Sequence, residues 1–266
     1  MHGYCLKLIN KVGKIMNGTN QNRTNEYLKI FNREVVLKSL IDKANPVIFD
    51  VGANVGDTLV EFKGFWPQSK IHCFEPQSEC WEQLDKKIIE YNYNNVVINK
   101  YAVGDEEIYD AIFYSHDITS GQSGLHKINS NSIDSIDQSN LKSELDRDAY
   151  ENRLNHRRVV NVKTLIDYMS NSNIKHIDLL KIDTQGYEPE VLGGLKDNLS
   201  KVDVVITELM FYDFYERSLS FSDIESFLLP AGFSLFDISH ISKNPMNGRT
   251  DWVDVIYVNN RIRNSK

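Results

Sequence analysis

The stretch that most constrains the fold runs from Val47 to Thr58. A short apolar segment, Val47-Ile48-Phe49-Asp50-Val51, passes into Gly52, Asn54 and Gly56, and Asp57-Thr58 then open a helix-period segment. β-Branched and aromatic residues in so short a run favour a strand. The glycines let the backbone turn sharply and approach another group without a Cβ in the way. A strand, glycine turn and helix in that order belong to an open parallel α/β sheet, where ligands bind outside the carboxyl ends of the strands. A second apolar run, Ile71 to Phe74, ends at Glu75, and Pro76 stops it. A carboxylate at the end of a second strand accepts two hydrogen bonds from ribose hydroxyls, so the two segments together predict a nucleoside site.

Apolar runs and helix-period segments alternate along the rest of the chain. Strands are expected at 47–51, 71–74, 96–101, 177–182, 202–207, 233–238 and 253–258, with helices at about 57–65, 79–91, 188–198 and 222–229. This predicts a Rossmann-like α/β domain over residues 46–266, a mostly parallel seven-stranded sheet with helices on both faces. Residues 1–45 read as a helical extension, broken at Asn17-Gly18, with its stronger helix at 26–41 and an amphipathic start at 1–16. The segment at about 115–158 is rich in Ser, Asn, Asp and Gln and breaks the alternation. It reads as an insertion over the ligand site, with a helix near 141–154.

Composition narrows the partners. A net charge of −7 over 266 residues argues against a general nucleic-acid binder, and the cluster Arg153, His156, Arg157 and Arg158 reads as a solvated face. No stretch reaches the roughly 18 apolar residues of a membrane span. Three cysteines, Cys5, Cys73 and Cys80, stand at neither disulfide-scaffold nor metal-ligand spacing, which predicts a reducing, cytoplasmic setting. No oligomeric state is predicted.

The glycine spacing is Gly-x-x-x-Gly, not the Gly-x-Gly-x-x-Gly that accompanies a pyrophosphate. A wider turn suits a nucleoside carrying an amino acid and a sulfonium, S-adenosylmethionine. Here the chain resembles the FkbM family of class I methyltransferases. The pieces are VIFDVGANVGDT, IHCFEPQ, NKYAVGDEE, SGQSGL, VKTLIDYM, HIDLLKIDTQGYEPEVLGG and VVITEL, in the family's order over roughly 47–209. Gln185 stands where the family usually has an acid. The resemblance implies methyl transfer from S-adenosylmethionine, commonly to hydroxyls of sugars, polyketides and related small molecules. It further implies that Asp50, Gly52, Asn54 and Gly56 line the methionine and ribose end, and that Glu75 holds the ribose. Ala102 and Val103 would flank the adenine, with Asp105 nearby, Asp183 would approach the amino group or the methyl, and Ser123 would lie near the cofactor.

An alcohol acceptor must lose a proton during attack, which calls for a base or a metal. Asp183 and Glu208 end successive strands and form the first candidates, since neighbouring acids raise one another's pKa. His116 in the insertion is a further catalytic candidate, ahead of His126 and His240, while His72 and His176 read as structural. No third oxygen ligand accompanies Asp183 and Glu208, so no metal is assigned. The acids of Tyr187-Glu188-Pro189-Glu190 are accounted for by a helix N-terminus. Phe211, Tyr212, Phe214 and Tyr215 suit either core or the wall of a substrate pocket, with Arg249, Asp251 and Trp252 as further candidates. The expected acceptor is a small molecule, a sugar or nucleotide sugar. An amine acceptor and a cofactor-binding module without turnover are the alternatives. A nicotinamide oxidoreductase is disfavoured by the glycine spacing and by the lack of a Tyr-x-x-x-Lys pair.

Overall fold

Strand β1 (Val47–Val51) has four of its five residues buried, as expected of a strand covered on both faces. The computed structural model describes residues 27, 29–117, 119–132, 147–244 and 247–263. Among these, β1 is central to a seven-stranded sheet with β2 (Lys70–Phe74), β3 (Val96–Asn99), β7 (Ile177–Ile182), β8 (Val202–Met210), β9 (Phe233–Lys243) and β10 (Thr250–Asn259), in the order β3-β2-β1-β7-β8-β10-β9. Within the run β3-β2-β1-β7-β8 each strand is parallel to the next, and β10 is antiparallel to β8 and β9. The strand order reverses direction at β1 and β7, which opens a crevice at their carboxyl ends. All seven segments expected to be strands are the strands of this sheet.

The differences have local causes. The run expected at 96–101 is divided: the side chain of Asn99 donates to Cys73 O at 3.1 Å, and the chain then leaves for β4 (Ala102–Val103) in a second sheet. That sheet, ordered β4-β6-β5, holds β5 (Ile108–Ser115) and β6 (His156–Lys163), neither of which was expected. Apolar residues such as Tyr109, Ile112 and Val159 face outward in them, and in β6 Val162 is the one buried position, so apolar and buried positions do not coincide. Strand β6 therefore takes the last residues of the supposed insertion, and Arg158 there pairs with Glu79 at 2.7 Å. Of the helix expected near 141–154, Arg147–Leu154 is helical, and 141–146 lie outside the described residues.

The helix expected over 188–198 stops at Gly193, because the backbones of Gly194 and Gly104 pack together. A Cβ on Gly194 would sit 2.1 Å from Gly104 O. A 3-10 turn, Lys196–Lys201, follows. The helix Leu165–Asn171 was not expected, although Thr164 caps it by accepting from Asp167 N–H at 3.2 Å.

The chain divides into two compact units, residues 1–42 and 43–266. In the first, residues 1–26 are outside the described residues, including the amphipathic start and Asn17-Gly18. The helix expected at 26–41 is interrupted at Phe31-Asn32. The Asn32 side chain accepts from Val35 N–H at 2.9 Å and starts a new helix, Arg33–Leu40. No helix among the described residues is long and apolar enough to cross a membrane.

Candidate functional site

The first half of the site is made by backbone. Gly52 has φ 79°, and a Cβ there would lie 1.8 Å from Asp183 O, so only glycine fits between β1 and β7. Its N–H donates to Phe74 O at 3.0 Å, tying the turn to β2. Asn54 N–H donates to one Glu75 oxygen and Gln77 N–H to the other, each at 2.8 Å. Glu75 is 2% exposed, and burial pushes its carboxyl up to about 7 against the pull of those two N–H groups. Each oxygen keeps a second lone pair for a hydroxyl donor.

Beside Glu75 lies a narrow cleft. It brings together five of the nine residues expected at the cofactor: Gly52, Glu75, Ala102, Val103 and Ser123. Phe113, Leu125 and Tyr187 add apolar wall, and Thr184 closes one side. An apolar slot with a two-oxygen acceptor at its edge fits a nucleoside. Asp50, Asn54, Gly56 and Asp183 are not among the lining residues. Gly56 (φ 87°) starts the helix Asp57–Phe65.

The stretch SGQSGL now has a chemical reason. Ser120 Oγ donates to Asn54 Oδ1 at 2.6 Å, and Gln77 Nε2 donates to Ser120 O at 3.1 Å, which strap the turn across the glycine loop. Ser123 Oγ accepts from His116 N–H at 3.0 Å. His116 is buried, which lowers its pKa, and its Nδ1 accepts from Thr119 N–H at 3.2 Å. That lone pair, the basic site of the neutral ring, is thus already engaged in shaping the strap.

The second half of the site surrounds the loop Asp183 to Glu188. Lys181 Nζ lies 3.4 Å from Asp50 Oδ1 and 3.4 Å from Asp183 Oδ2. Gln185, held at φ 59°, donates from Nε2 to Asp183 Oδ1 at 2.6 Å and to Glu208 Oε2 at 3.2 Å, and its Oε1 accepts from Tyr215 Oη at 2.6 Å. The Gln amide therefore joins the two candidate acids. Glu188 accepts from Thr184 N–H at 2.7 Å and Gly186 N–H at 3.0 Å, and its carboxyl is pushed up to about 7 by burial. It braces the loop, a role beyond the helix N-terminus expected for it.

Beyond this loop lies a second, small pocket lined by Gly186, Glu188, Glu208, Met210, Tyr212, Tyr215, Arg217 and Leu219. Burial, and then the charges of Asp183, Glu188 and Asp254, raise the Glu208 pKa well above the usual carboxylate range. Of the aromatic cluster, Tyr212 and Tyr215 wall this pocket. Phe214 packs with Ile128, Tyr150 and Leu154 of the insertion in a satellite core, and Phe211 is exposed. Arg249 pairs with Asp251 at 3.0 Å and lies 5.3 Å from the Tyr212 ring centre, behind the wall. Trp252 packs on His240, which sits on the edge strand β9. His126 packs on the Tyr187 ring. His72 is buried against Tyr168 Oη at 2.6 Å, and burial lowers its pKa to about 4.

Sequence reasoning missed Lys181 and Glu188 as parts of the site, and it named Gln185 and Tyr215 without the hydrogen bonds that join them. For Lys181 a signal was present, a lone cation inside the apolar run Leu179-Leu180-Lys181-Ile182. The others act through loop conformation, which no spacing rule encodes.

Residues 50–235 match the methyltransferase FkbM domain. The chain is 26% identical over 188 residues to Methyltransferase 1 of Beauveria bassiana, covering 68% of this chain and 73% of that protein. It is 26% identical over 200 residues to the 2-O-methyltransferase NoeI of Sinorhizobium fredii, covering 71% and 72%. Among solved structures it resembles a methyltransferase FkbM from Methylobacillus flagellatus, with a TM-score of 0.51 and 13% identity over 88% of this chain and 50% of that one.

Proposed function

Since the chain belongs to the FkbM methyltransferase family and so transfers methyl groups from S-adenosylmethionine, we propose that its acceptor is a hydroxyl of a small molecule, a sugar or nucleotide sugar. The observation that carries this reading is the pair of pockets on either side of the Asp183 to Glu188 loop, with Glu208 in the second.

The cofactor, when bound, supplies a methyl group on a positively charged sulfur, already activated for displacement. In this reading Glu75 receives the ribose hydroxyls, while Ala102 and Val103 flank the base. Gly52 admits the amino acid end, behind which Asp50, Asn54 and Gly56 shape the turn, and Asp183 approaches the amino group. Alignment then supplies much of the rate. Glu208 takes the acceptor proton, because a carboxyl with a raised pKa is a stronger base once ionised. Gln185 holds Glu208 in place without adding charge, and His116 acts through the strap.

The same acids favour a hydroxyl over an amine. Glu208 and Glu188 in the second pocket, with Asp183 bonded to the same Gln185, would keep an amine protonated, and a protonated amine has no lone pair for attack. The similarity to a 2-O-methyltransferase points the same way.

The test is a mass-spectrometric screen of sugars, nucleotide sugars and amines with the purified protein and S-adenosylmethionine. Gain of one methyl group on a sugar hydroxyl is expected. Methylation confined to amines would overturn the proposal.

A further inference from the structure

Lys181 is a buried cation to which the chemistry above gives no task. All six residues of β7 are buried, and Lys181 is 7% exposed. Its Nζ touches three groups: Asp50 Oδ1 and Asp183 Oδ2, each at 3.4 Å, and Gly52 O, to which it donates at 3.1 Å. Gly52 lines the cofactor cleft, so the ammonium stands directly behind the cleft wall. Burial alone would neutralise such a lysine, but Asp183 and Asp50 outweigh it and keep the group charged. The same charge opposes the upward shifts of Glu75 in the cleft and Glu208 in the second pocket. Asp50, Lys181 and Asp183 together carry a formal charge of −1.

Methyl transfer changes the charge of what the cleft holds. S-Adenosylmethionine has a sulfonium, and its demethylated product, S-adenosylhomocysteine, has a neutral thioether. A surplus of negative charge behind the wall favours the reactant over a transition state in which the positive charge is already dispersing. We propose that Lys181 is a positioning residue that sets the relative affinity of the site for S-adenosylmethionine over S-adenosylhomocysteine by holding the Asp50–Asp183 cluster at one negative charge. The proposal rests on S-adenosylmethionine as the methyl donor.

Calorimetry of both ligands at pH 8 tests it without an acceptor. Contacts common to the two ligands cancel in the ratio of their affinities, so loss of a brace moves both constants and not the ratio. Lys181→Met should shift the ratio toward S-adenosylmethionine by about tenfold or more, the effect of one unit charge acting over several ångströms in a protein interior. Lys181→Arg, which keeps the charge, should hold the ratio within about twofold by the same reasoning. Asp183→Asn removes a negative charge and should shift the ratio the opposite way. A ratio unchanged in Lys181→Met overturns the proposal. If that variant lacks a cooperative melting transition, an unchanged ratio in Asp183→Asn overturns it instead. Wild-type protein that binds neither ligand would overturn the donor assignment, and the proposal with it.

Discussion

The two ends of strands β7 and β8 carry the same kinds of side chain and treat them in opposite ways. At the amino ends, His176, Asp178 and Asp203 offer ligand atoms within 4.8 Å of one another. There His176 lies 2.8 Å from Asp203 and 3.3 Å from Asp178, Lys43 pairs with Asp178, and Arg261 pairs with Asp203. Hydrogen bonds to Asp178 and Asp203 raise the His176 pKa to about 9. For Asp178 burial acts upward, but the bonds to His176, Lys43 and Val47 N–H hold it at about 2. At the carboxyl ends the acids outnumber the cations, and burial raises Glu188 to about 7 and Glu208 well above the usual carboxylate range, as it raises Glu75 to about 7 at the neighbouring end of β2. Acids matched by cations hold strands together. Acids left with raised pKa values, facing pockets, are available for binding and proton transfer.

The sharpest way to break this comparison is at the glycine turn on the carboxyl side. Gly52→Ala places a Cβ 1.8 Å from Asp183 O and should cost more than about 4 kcal/mol or abolish cofactor binding, as read by chemical denaturation and calorimetry. Near-native stability with intact binding would mean that the turn is not as tightly closed as described. Next, Glu208→Gln should lower kcat by about a hundredfold or more, the range for loss of a general base, while leaving the cofactor Kd within about twofold. Its counterpart on the paired edge, Asp203→Asn, should lower Tm and leave kcat unchanged. If the two variants exchange these effects, the assignment of roles to the two edges is wrong.

A smaller effect is expected at Glu75. Glu75→Ala should weaken cofactor binding by about 1–3 kcal/mol, the worth of hydrogen bonds to a charged group. With the free carboxyl at about 7, the wild-type affinity should fall as pH drops from 8 to 6, since the protonated form accepts less well. Calorimetry across that range should show the slope in wild type and none in Glu75→Ala.

The smallest effects separate the edges by pH. The folded pKa of His176, about 9, lies above its ordinary 6.5. Its stabilisation is therefore complete below pH 6.5 and lost as pH rises through 9. Glu188, raised from 4.5 to about 7, contributes stability that is present below pH 4.5 and lost as pH rises through 7. Denaturation midpoints in His176→Gln should lose the upper window and keep the lower one.

Much of the site's first half was legible in the chain because it is local. Gly52, Asn54 and Gly56 follow one strand, Glu75 ends the next, and backbone N–H groups within the same loops complete the geometry. The second half was legible in its acids, Asp183 and Glu208, and not in its connections. Gln185 reaches Glu208 across two strands, and Tyr215 reaches both Gln185 and the strap carbonyl of Gln122 at 3.0 Å. Strands β5 and β6 escaped notice for a related reason, since their pairing spans the long segment between residues 115 and 156 and their polar and apolar residues do not sort by face.

The alternation of apolar runs with helix-period segments by itself determined the α/β class and the seven strands, most plainly for β1, β7 and β8, where burial on both faces leaves a mark on nearly every residue. The stretch from Val47 to Thr58 with Glu75 likewise marked the cleft in which we propose that a nucleoside binds. Tertiary structure alone decided which charges are matched. Lys181, Asp50 and Asp183 meet because β1 and β7 lie side by side with Asp50 opposite Lys181. His176 is held by acids from β7 and β8 because those strands start together. Whether a buried acid is a brace or a base depends on its neighbours in space, and the order of residues along the chain does not specify them.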